Sequence, residues 1–514
     1  MKTIVTLLIL LGLSATVFSQ TYFSERYYFD PYNSWDAASK ILENDSSYII
    51  VGATGDQFVS SWHRIGFLTI DKYGNKVSSK SFGDTISEYY IQFDGAFRKN
   101  GENEYSGVGV KREYTLNGMH DAGIIYRFNQ LLDTIWTNSR ITDRVLPIDT
   151  SYVFNHFDIL PNKDLIIAGY IIIDGETAKA LLIKTDSLGN EQWRKYFYSG
   201  PLNRGINVIR TPDGGFALSC YKWTFGLYGD SSPYIVKTDS LGNEQWRYYV
   251  PCIEEKHGPM YLQNSPDSTI IGAYSYSDSI PVADSYNKDA LIKIDLQKNI
   301  IWDKKYGKSN RKYRYLNSIN INTDGKIIIA GSCLSTMYPA EGYNGYMFNF
   351  NNNGDSLWYR EYRISPNLYT YNYLYGVTPT SDGGFIAVGD VLPSPPDTGN
   401  QDVWVIKVDS MGCENWDECW VGVKENIALR EAEELLIYPN PTSNLVNIFI
   451  AKENENENHE LLIFDLFGRK VKETKVPLGT TTIQIDVSSW QSGLYTAISS
   501  YKGKITGRGK FVVR

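Results

Sequence analysis

Histidine and cysteine are scarce in this chain, five of each among 514 residues. The histidines, His63, His120, His156, His257 and His459, fall in no metal-ligand spacing such as H-E-x-x-H, which leaves no basis for a metal site. A phosphate-cradling Gly-Lys-Ser/Thr loop and a nucleophile elbow are also missing, so the sequence points to no cofactor. Positive charge is short: 50 Lys and Arg stand against 58 Asp and Glu, a formal charge of −8. No globular stretch supplies the basic footprint that a nucleic-acid partner needs. Beyond the N-terminus there is no apolar run long enough for a transmembrane segment, which takes roughly 20 residues.

The apolar run that does stand out, Ile4 to Leu13, follows Lys2 and leads to small residues near Ser19 and then Gln20. Too short to span a bilayer, it reads as a signal peptide over residues 1–19, with export as its consequence. An odd cysteine count leaves at least one thiol free or paired between chains. Cys413 and Cys419 lie close in "GCENWDEC", and an oxidising compartment favours a disulfide there over a zinc site, which would need two more ligands, or over two free thiols. The state of Cys220, Cys252 and Cys333 stays open, as does the oligomeric state.

What the chain has in abundance is Tyr (39), Gly (43) and Trp (12), a composition of strands and turns. It also repeats itself. "KTDSLGNEQWR" occurs at Lys184–Arg194 and again, letter for letter, at Lys237–Arg247. Aligned on Asp186, related copies fall at Asp71, Asn129, Asp186, Asp239, Asp295, Asn351 and Asp409, with gaps of 58, 57, 53, 56, 56 and 58 residues. Seven residues after each such position comes a tryptophan, at Trp136, Trp193, Trp246, Trp302, Trp358 and Trp416, except in the first copy, which has Ser78. A second motif precedes each copy, as in "DGGFIAVG" (Asp382–Gly389) and "DGGFALSC" (Asp213–Cys220). Asp-Gly-Gly and Asp-Ser-Leu-Gly are tight-turn chemistry, and the apolar runs between them are strands.

Four short strands per unit of this length, repeated seven times, predict an all-β fold: a seven-bladed β-propeller over residues 20–421, whose blades bury their faces only against one another. The repeated tryptophan is expected to pack between blades. The segment Thr21–Asp30 resembles an outer strand and is expected to complete the seventh blade and close the ring. In a four-stranded meander the first-to-second and third-to-fourth turns share one face, here short and repeated. The second-to-third loops and the connections between blades share the other, and they vary and are rich in Tyr, as in "NLYTYNYLYG" (Asn367–Gly376). Variable loops on a rigid scaffold are where binding residues sit, and Tyr offers a flat apolar ring with a polar tip. The candidate ligand-binding residues are Trp223, Tyr343, Tyr369 and Tyr373; the alternative for each is that it only packs a loop.

The D-G-G-F and D-S-x-G-x-x-x-W pattern over roughly residues 36–420 resembles the propeller-type repeats of exported bacterial surface proteins. It also looks like the tryptophan-docking motif of quinoprotein dehydrogenases and the Asp-box of sialidases, each one residue off in spacing; a turn and packing explain the same residues. The Asp-Ser-Leu triplets at Asp186, Asp239 and Asp355 resemble an O-glycan acceptor pattern, which turn chemistry explains equally well.

From Leu435 the character changes. After an acidic connector (422–434) come "YPNP" (Tyr438, Pro439, Asn440, Pro441), "FDLFGRKV" with Gly468 and Arg469, "SGLY" with Gly493 and Tyr495, and a basic C-terminus. These four ordered motifs over residues 435–514 resemble the type A C-terminal sorting domain of the type IX secretion system of Bacteroidota. Alternating strands around them predict a small β-sandwich. The resemblance implies the type IX secretion machinery as a partner and a secreted or outer-surface destination by way of the periplasm. The sequence therefore describes an exported propeller that binds an extracellular glycan or protein ligand it does not name. The alternatives are a secreted hydrolase, whose paired carboxylates would converge from different blades, and a structural surface protein.

Overall fold

In a computed structural model the chain is all-β. The structure describes residues 21–29, 34–56, 63–91, 96–115, 118–139, 150–173, 177–200, 202–223, 231–251, 257–277, 288–306, 314–334, 342–365, 367, 369–395, 399–414, 433–449, 459–466, 469–477, 480–501 and 504–514. The expected signal peptide, most of the connector, Cys252, Trp416, Cys419 and Gly468 lie outside them. Two compact units emerge, Met1–Trp416 and Asp417–Arg514.

In the first unit, strand pairing sorts the described residues into seven successive antiparallel sets, each beside the next and the last beside the first. The inner strands of these blades are Ser34–Glu43, the interrupted pair Ser87–Tyr90 and Phe97–Lys99, Thr150–Ile159, Leu202–Arg210, His257–Asn264, Arg314–Ile321 and Tyr371–Pro379. The seventh blade takes its outer strand from the start of the chain: Phe23–Tyr27 pairs antiparallel with Asp402–Val408, Phe23 opposite Lys407 and Tyr27 opposite Val403. Ring closure by the N-terminal segment is thus observed.

The repeated motif is a turn and its anchor. Asp186 accepts from the backbone N–H of Leu188 (2.9 Å) and Asn190 (2.8 Å), and its other carboxylate oxygen accepts from the Asn190 amide. The same bonds recur around Asp71, Asp239 and Asp295. The residue three on takes positive φ, 80° at Gly189 and 76° at Lys298, a conformation that strains any residue but glycine. Four outer-strand tryptophans then lie against the turn glycine of the next blade: Trp136 by Gly189, Trp193 by Gly242, Trp302 by Gly354 and Trp358 by Gly412; Trp246 meets a turn with Lys298 in that place and donates its indole N–H to Leu296 O (2.8 Å). Trp358 also donates its indole N–H to Ser410 O (2.9 Å). The closing strand puts Phe23 against Gly74 in the same way. Where the incoming residue is Ser78 rather than Trp, the next turn carries buried Leu132 at positive φ instead of Gly.

The glycine ending the second motif has a different cause. Six inner strands carry a register shift near mid-length, for example between Leu374 and Gly376. The bulge pushes a carbonyl toward the second strand. A Cβ on Gly52, Gly169, Gly331 or Gly389 would collide with the carbonyl of Ala37, Val153, Tyr315 or Tyr373. The fourth blade departs, with Cys220 at this position; Gly205, opposite it on the inner strand, is crowded instead by Gly169 O of the third blade.

Around the axis, where no backbone ladder joins the inner strands of neighbouring blades, side chains do so. Asn155 donates to Gly205 O, Asn207 to Leu262 O, Asn317 to Leu374 O and Thr378 to Ile41 O, the last across the closure. Satisfying these buried carbonyls keeps the axial layer polar without cost to the blades.

The second unit is a five-stranded sheet facing a three-stranded one, with Val446, Ile448, Leu461, Ile463, Ile485, Tyr495, Phe511 and Val513 buried between them. Glu433–Glu434, the end of the expected connector, already pairs with Gly507–Arg508.

Candidate functional site

The two ends of the ring's axis differ. At the end where inner strands begin, on the side of the variable loops, the sixth and seventh blades bring tyrosines together. Tyr343 opens a third strand; Tyr371 and Tyr373 open the last inner strand; Tyr375 is its bulge residue. Ring centroids are 5.7 Å apart for Tyr343–Tyr371, 5.2 Å for Tyr343–Tyr373, 6.0 Å for Tyr373–Tyr375 and 6.4 Å for Tyr315–Tyr343. These are stacked and tilted pairs at ordinary aromatic spacing. Beneath them sits Asp390, a carboxyl with 3% exposure. Burial pushes it up to about 7, although a hydrogen bond from Tyr375 favours its charged form. Burial, with Tyr343 and then Asp390 nearby, holds the Tyr373 phenol above its ordinary value.

The second blade contributes polar groups at the same mouth. Tyr90 occupies the position of Tyr373, since its carbonyl approaches Gly109 as that of Tyr373 approaches Gly389. Its hydroxyl donates to the buried Glu88, which also accepts from Tyr114 (2.7 Å). Arg112 lies 3.8 Å from Glu88 and binds Asp121 through two bonds of 2.7 and 3.0 Å. Burial holds the nearby His63 imidazole below its ordinary value, opposed by Glu88 and aided by Arg112. Between these blades, the first presents exposed Trp35 at the start of its inner strand.

Of the four residues singled out from sequence, Tyr343 and Tyr373 are therefore in ring contact. Tyr369 is exposed in the short connection just before them, where its backbone N–H donates to Asn367. Trp223 is exposed at the end of a second strand in the fourth blade, paired with Leu202 and Ser231, away from the sixth and seventh. Tyr315, Tyr371, Tyr375, Asp390 and Glu88 were not anticipated. The alternating "YTYNYLYG" holds the signal for two of them, Tyr371 and Tyr375, because alternate residues of a strand share one face; Asp390 carries no local signal.

Cys413 is disulfide-bonded. Cys220 and Cys333 are buried and not disulfide-bonded; Cys252 and Cys419, the latter the expected partner of Cys413, lie outside the described residues.

In the second unit the motif residues converge on the last strand. Asn440 donates to Lys510 O (3.0 Å) and accepts from Val512 N–H (2.9 Å). Tyr495, nearly buried, stacks on Phe511 at 5.7 Å and donates to Gln491 O. Gly493 pairs with Val513. Arg469 closes a turn onto both oxygens of Asp465. Residues 436–514 match the family model described as the secretion system C-terminal sorting domain. The C-terminal unit is a sorting domain. A type IX sorting domain implies contact with the secretion machinery and delivery to the cell surface or the extracellular space.

No curated protein sequence matches the chain. Among solved structures it is similar to a protein of unknown function from Dyadobacter fermentans (8% identity, 76% of this chain and 99% of that one, TM-score 0.42). It is also similar to the β-propeller domain of the trilobed protease from Pyrococcus furiosus (8%, 78% and 100%, TM-score 0.38) and to the phage phi92 endosialidase (9%, 96% and 87%, TM-score 0.43). These likenesses concern shape and say nothing of activity.

Proposed function

We propose that the protein is exported from a Bacteroidota cell with an N-terminal signal peptide and the C-terminal sorting domain as its two addresses, and that its propeller binds an extracellular glycan at the tyrosine-lined mouth. The observation that carries this reading is the row Tyr315, Tyr343, Tyr371, Tyr373 and Tyr375, with ring centroids about 5–6 Å apart along neighbouring strand ends of the sixth and seventh blades. Rings with hydroxyl tips suit ligands that combine flat apolar faces with hydroxyls. Trp223 and Tyr369 extend the same face.

A glycan-array screen of the mature protein tests it. Alanine at Trp223, Tyr343, Tyr369 and Tyr373, in a protein that still folds, abolishes binding to whatever the screen reveals; full retention moves the site elsewhere. Removing residues 436–514 leaves a folded propeller in the periplasm, and normal surface delivery of that truncated protein refutes the export reading.

Hydrolysis is a second reading, and Asp390 favours it: a carboxyl pushed up to about 7 is protonated often enough near neutral pH to act as a general acid. Under that reading Asp390→Asn abolishes turnover of a bound glycan while leaving binding intact.

A further inference from the structure

At the opposite end of the axis, where the inner strands finish, lies a cavity of about 400 Å³ lined by Lys40, Glu43, Arg98, Lys99, Asp158 and Thr378, with Leu42, Ile159 and Asn320. Its wall comes from the inner strands of five blades, the first, second, third, sixth and seventh. Its charges are unevenly engaged. Glu43 accepts from Lys72 (2.5 Å) and from the backbone N–H and hydroxyl of Ser381 (2.8 Å each). Asp158 accepts from the N–H of Ile159 (2.8 Å) and of Arg210 (3.2 Å). Glu43 is thus held by Lys72 and Ser381, and Asp158 by backbone N–H groups.

Arg98 has a different kind of partner. It donates to Phe157 O (2.8 Å), and its guanidinium faces His156 Nε2 at 3.2 Å. The buried His156 ring is neutral: burial, then the charges of Arg98 and Lys40, hold its protonation well below the ordinary range. Among the described residues neither Arg98 nor Lys99 has a carboxylate partner. Cations gathered in a concave, partly enclosed site raise the local concentration of anions, and Arg and Lys together match oxyanion geometry.

We propose that this cavity is a second binding site, separate from the tyrosine mouth, and that it takes a small oxyanion: sulfate, phosphate, or a carboxylate borne by a ligand of up to about sugar size. Lys99, exposed at its rim, and Lys40 supply charge, and Arg98 supplies directed donors. The proposal stands whether or not the opposite mouth binds a glycan.

The test is calorimetric titration of the full chain with sodium sulfate, phosphate and glucuronate, against chloride at matched ionic strength. Saturable one-site binding of at least one oxyanion is expected, weakened at least about tenfold in Lys40→Gln/Lys99→Gln and unchanged in Tyr343→Ala/Tyr373→Ala. Binding of sulfate or phosphate alone assigns the site to an inorganic oxyanion; binding that includes glucuronate assigns it to a carboxylate-bearing ligand. Should the double variant fail to fold, Lys99→Gln alone serves, since Lys99 is exposed and has no structural bond to lose. A non-saturating response, one that chloride reproduces, or an affinity indifferent to Lys99 overturns the proposal.

Discussion

Each of the two units is shut by one terminal strand, but the strands hold different ranks. In the ring, Phe23–Tyr27 is an outer strand with a single partner, tied down by an Arg26–Asp402 ion pair at 2.5 Å, a bond from the Trp404 indole to Ser24 (3.0 Å), and Phe23 against Gly74. In the sorting domain, Lys504–Val513 lies between Gly493–Tyr501 and Glu433–Glu434 and carries Phe511 and Val513 into the core. A ring distributes its closure around many blade contacts; a sandwich of this size has one core and depends on each strand that feeds it.

The largest effect expected from this difference is on the sorting domain. Deleting residues 504–514 removes Phe511 and Val513 and exposes the edge of Gly493–Tyr501, and it unfolds that unit while the propeller persists. Limited proteolysis followed by mass spectrometry reads it. Digestion of the propeller alongside the tail would show that the units are not independent. Trimming residues 21–30 is the matching cut in the ring. It lowers propeller stability by roughly several kcal/mol, through lost burial and an opened edge, without abolishing folding. A melting temperature unchanged by the trim would mean that the closing strand contributes nothing.

The closing blade also carries the titrating carboxyl, so its stability should depend on pH. Asp390 has its folded value raised to about 7, so the folded state favours the protonated form. Its unfolded counterpart ionises near 4. Stability is therefore lost as pH rises from about 4 through about 7, by an amount on the order of a few kcal/mol. Asp390→Asn removes that loss, and denaturation curves of the variant and the parent converge at pH 4 and separate at pH 8. Parallel curves at both pH values would place the burden on another group.

Much of this architecture was legible because turns and interlocks demand particular residues at particular spacings. Asp186 and Asn190 must close a turn, a glycine must take positive φ, and Trp136 must have a small residue beneath it, so the pattern repeats with the blades. Even its exceptions carry physics, as with Ser78 and Leu132. The sorting domain was legible for a related reason: Asn440, Tyr495 and Gly493 are each placed by the last strand. The candidate sites were half legible. Tyr343 and Tyr373 meet because the third strand of the sixth blade pairs in parallel with the start of the seventh blade's inner strand, Tyr343 opposite Tyr371. Asp390 escaped because its environment is made by Tyr375 across the bulge. The axial cavity escaped because its wall is one to three residues from each of five blades. Laying the inner-strand ends over one another would have brought Leu42, Arg98, Asp158, Asn320 and Thr378 into register.

The smallest prediction tests whether the sorting motif holds the last strand through side-chain bonds or through its shape alone. Asn440 makes two bonds of opposite sense to that strand, donating to Lys510 O and accepting from Val512 N–H. Both lie at an exposed edge, where water competes, so together they contribute about 1 kcal/mol. Asn440→Ala loses both and speeds hydrogen exchange at the Val512 amide. Asn440→Asp keeps the acceptor and turns the donor into a second acceptor facing Lys510 O, so Val512 stays protected while the far end of the contact loosens. The two substitutions thus separate at a single amide. Equal exchange in both would leave the strand held by the burial of Phe511 and Val513, with the Asn440 bonds adding nothing to it.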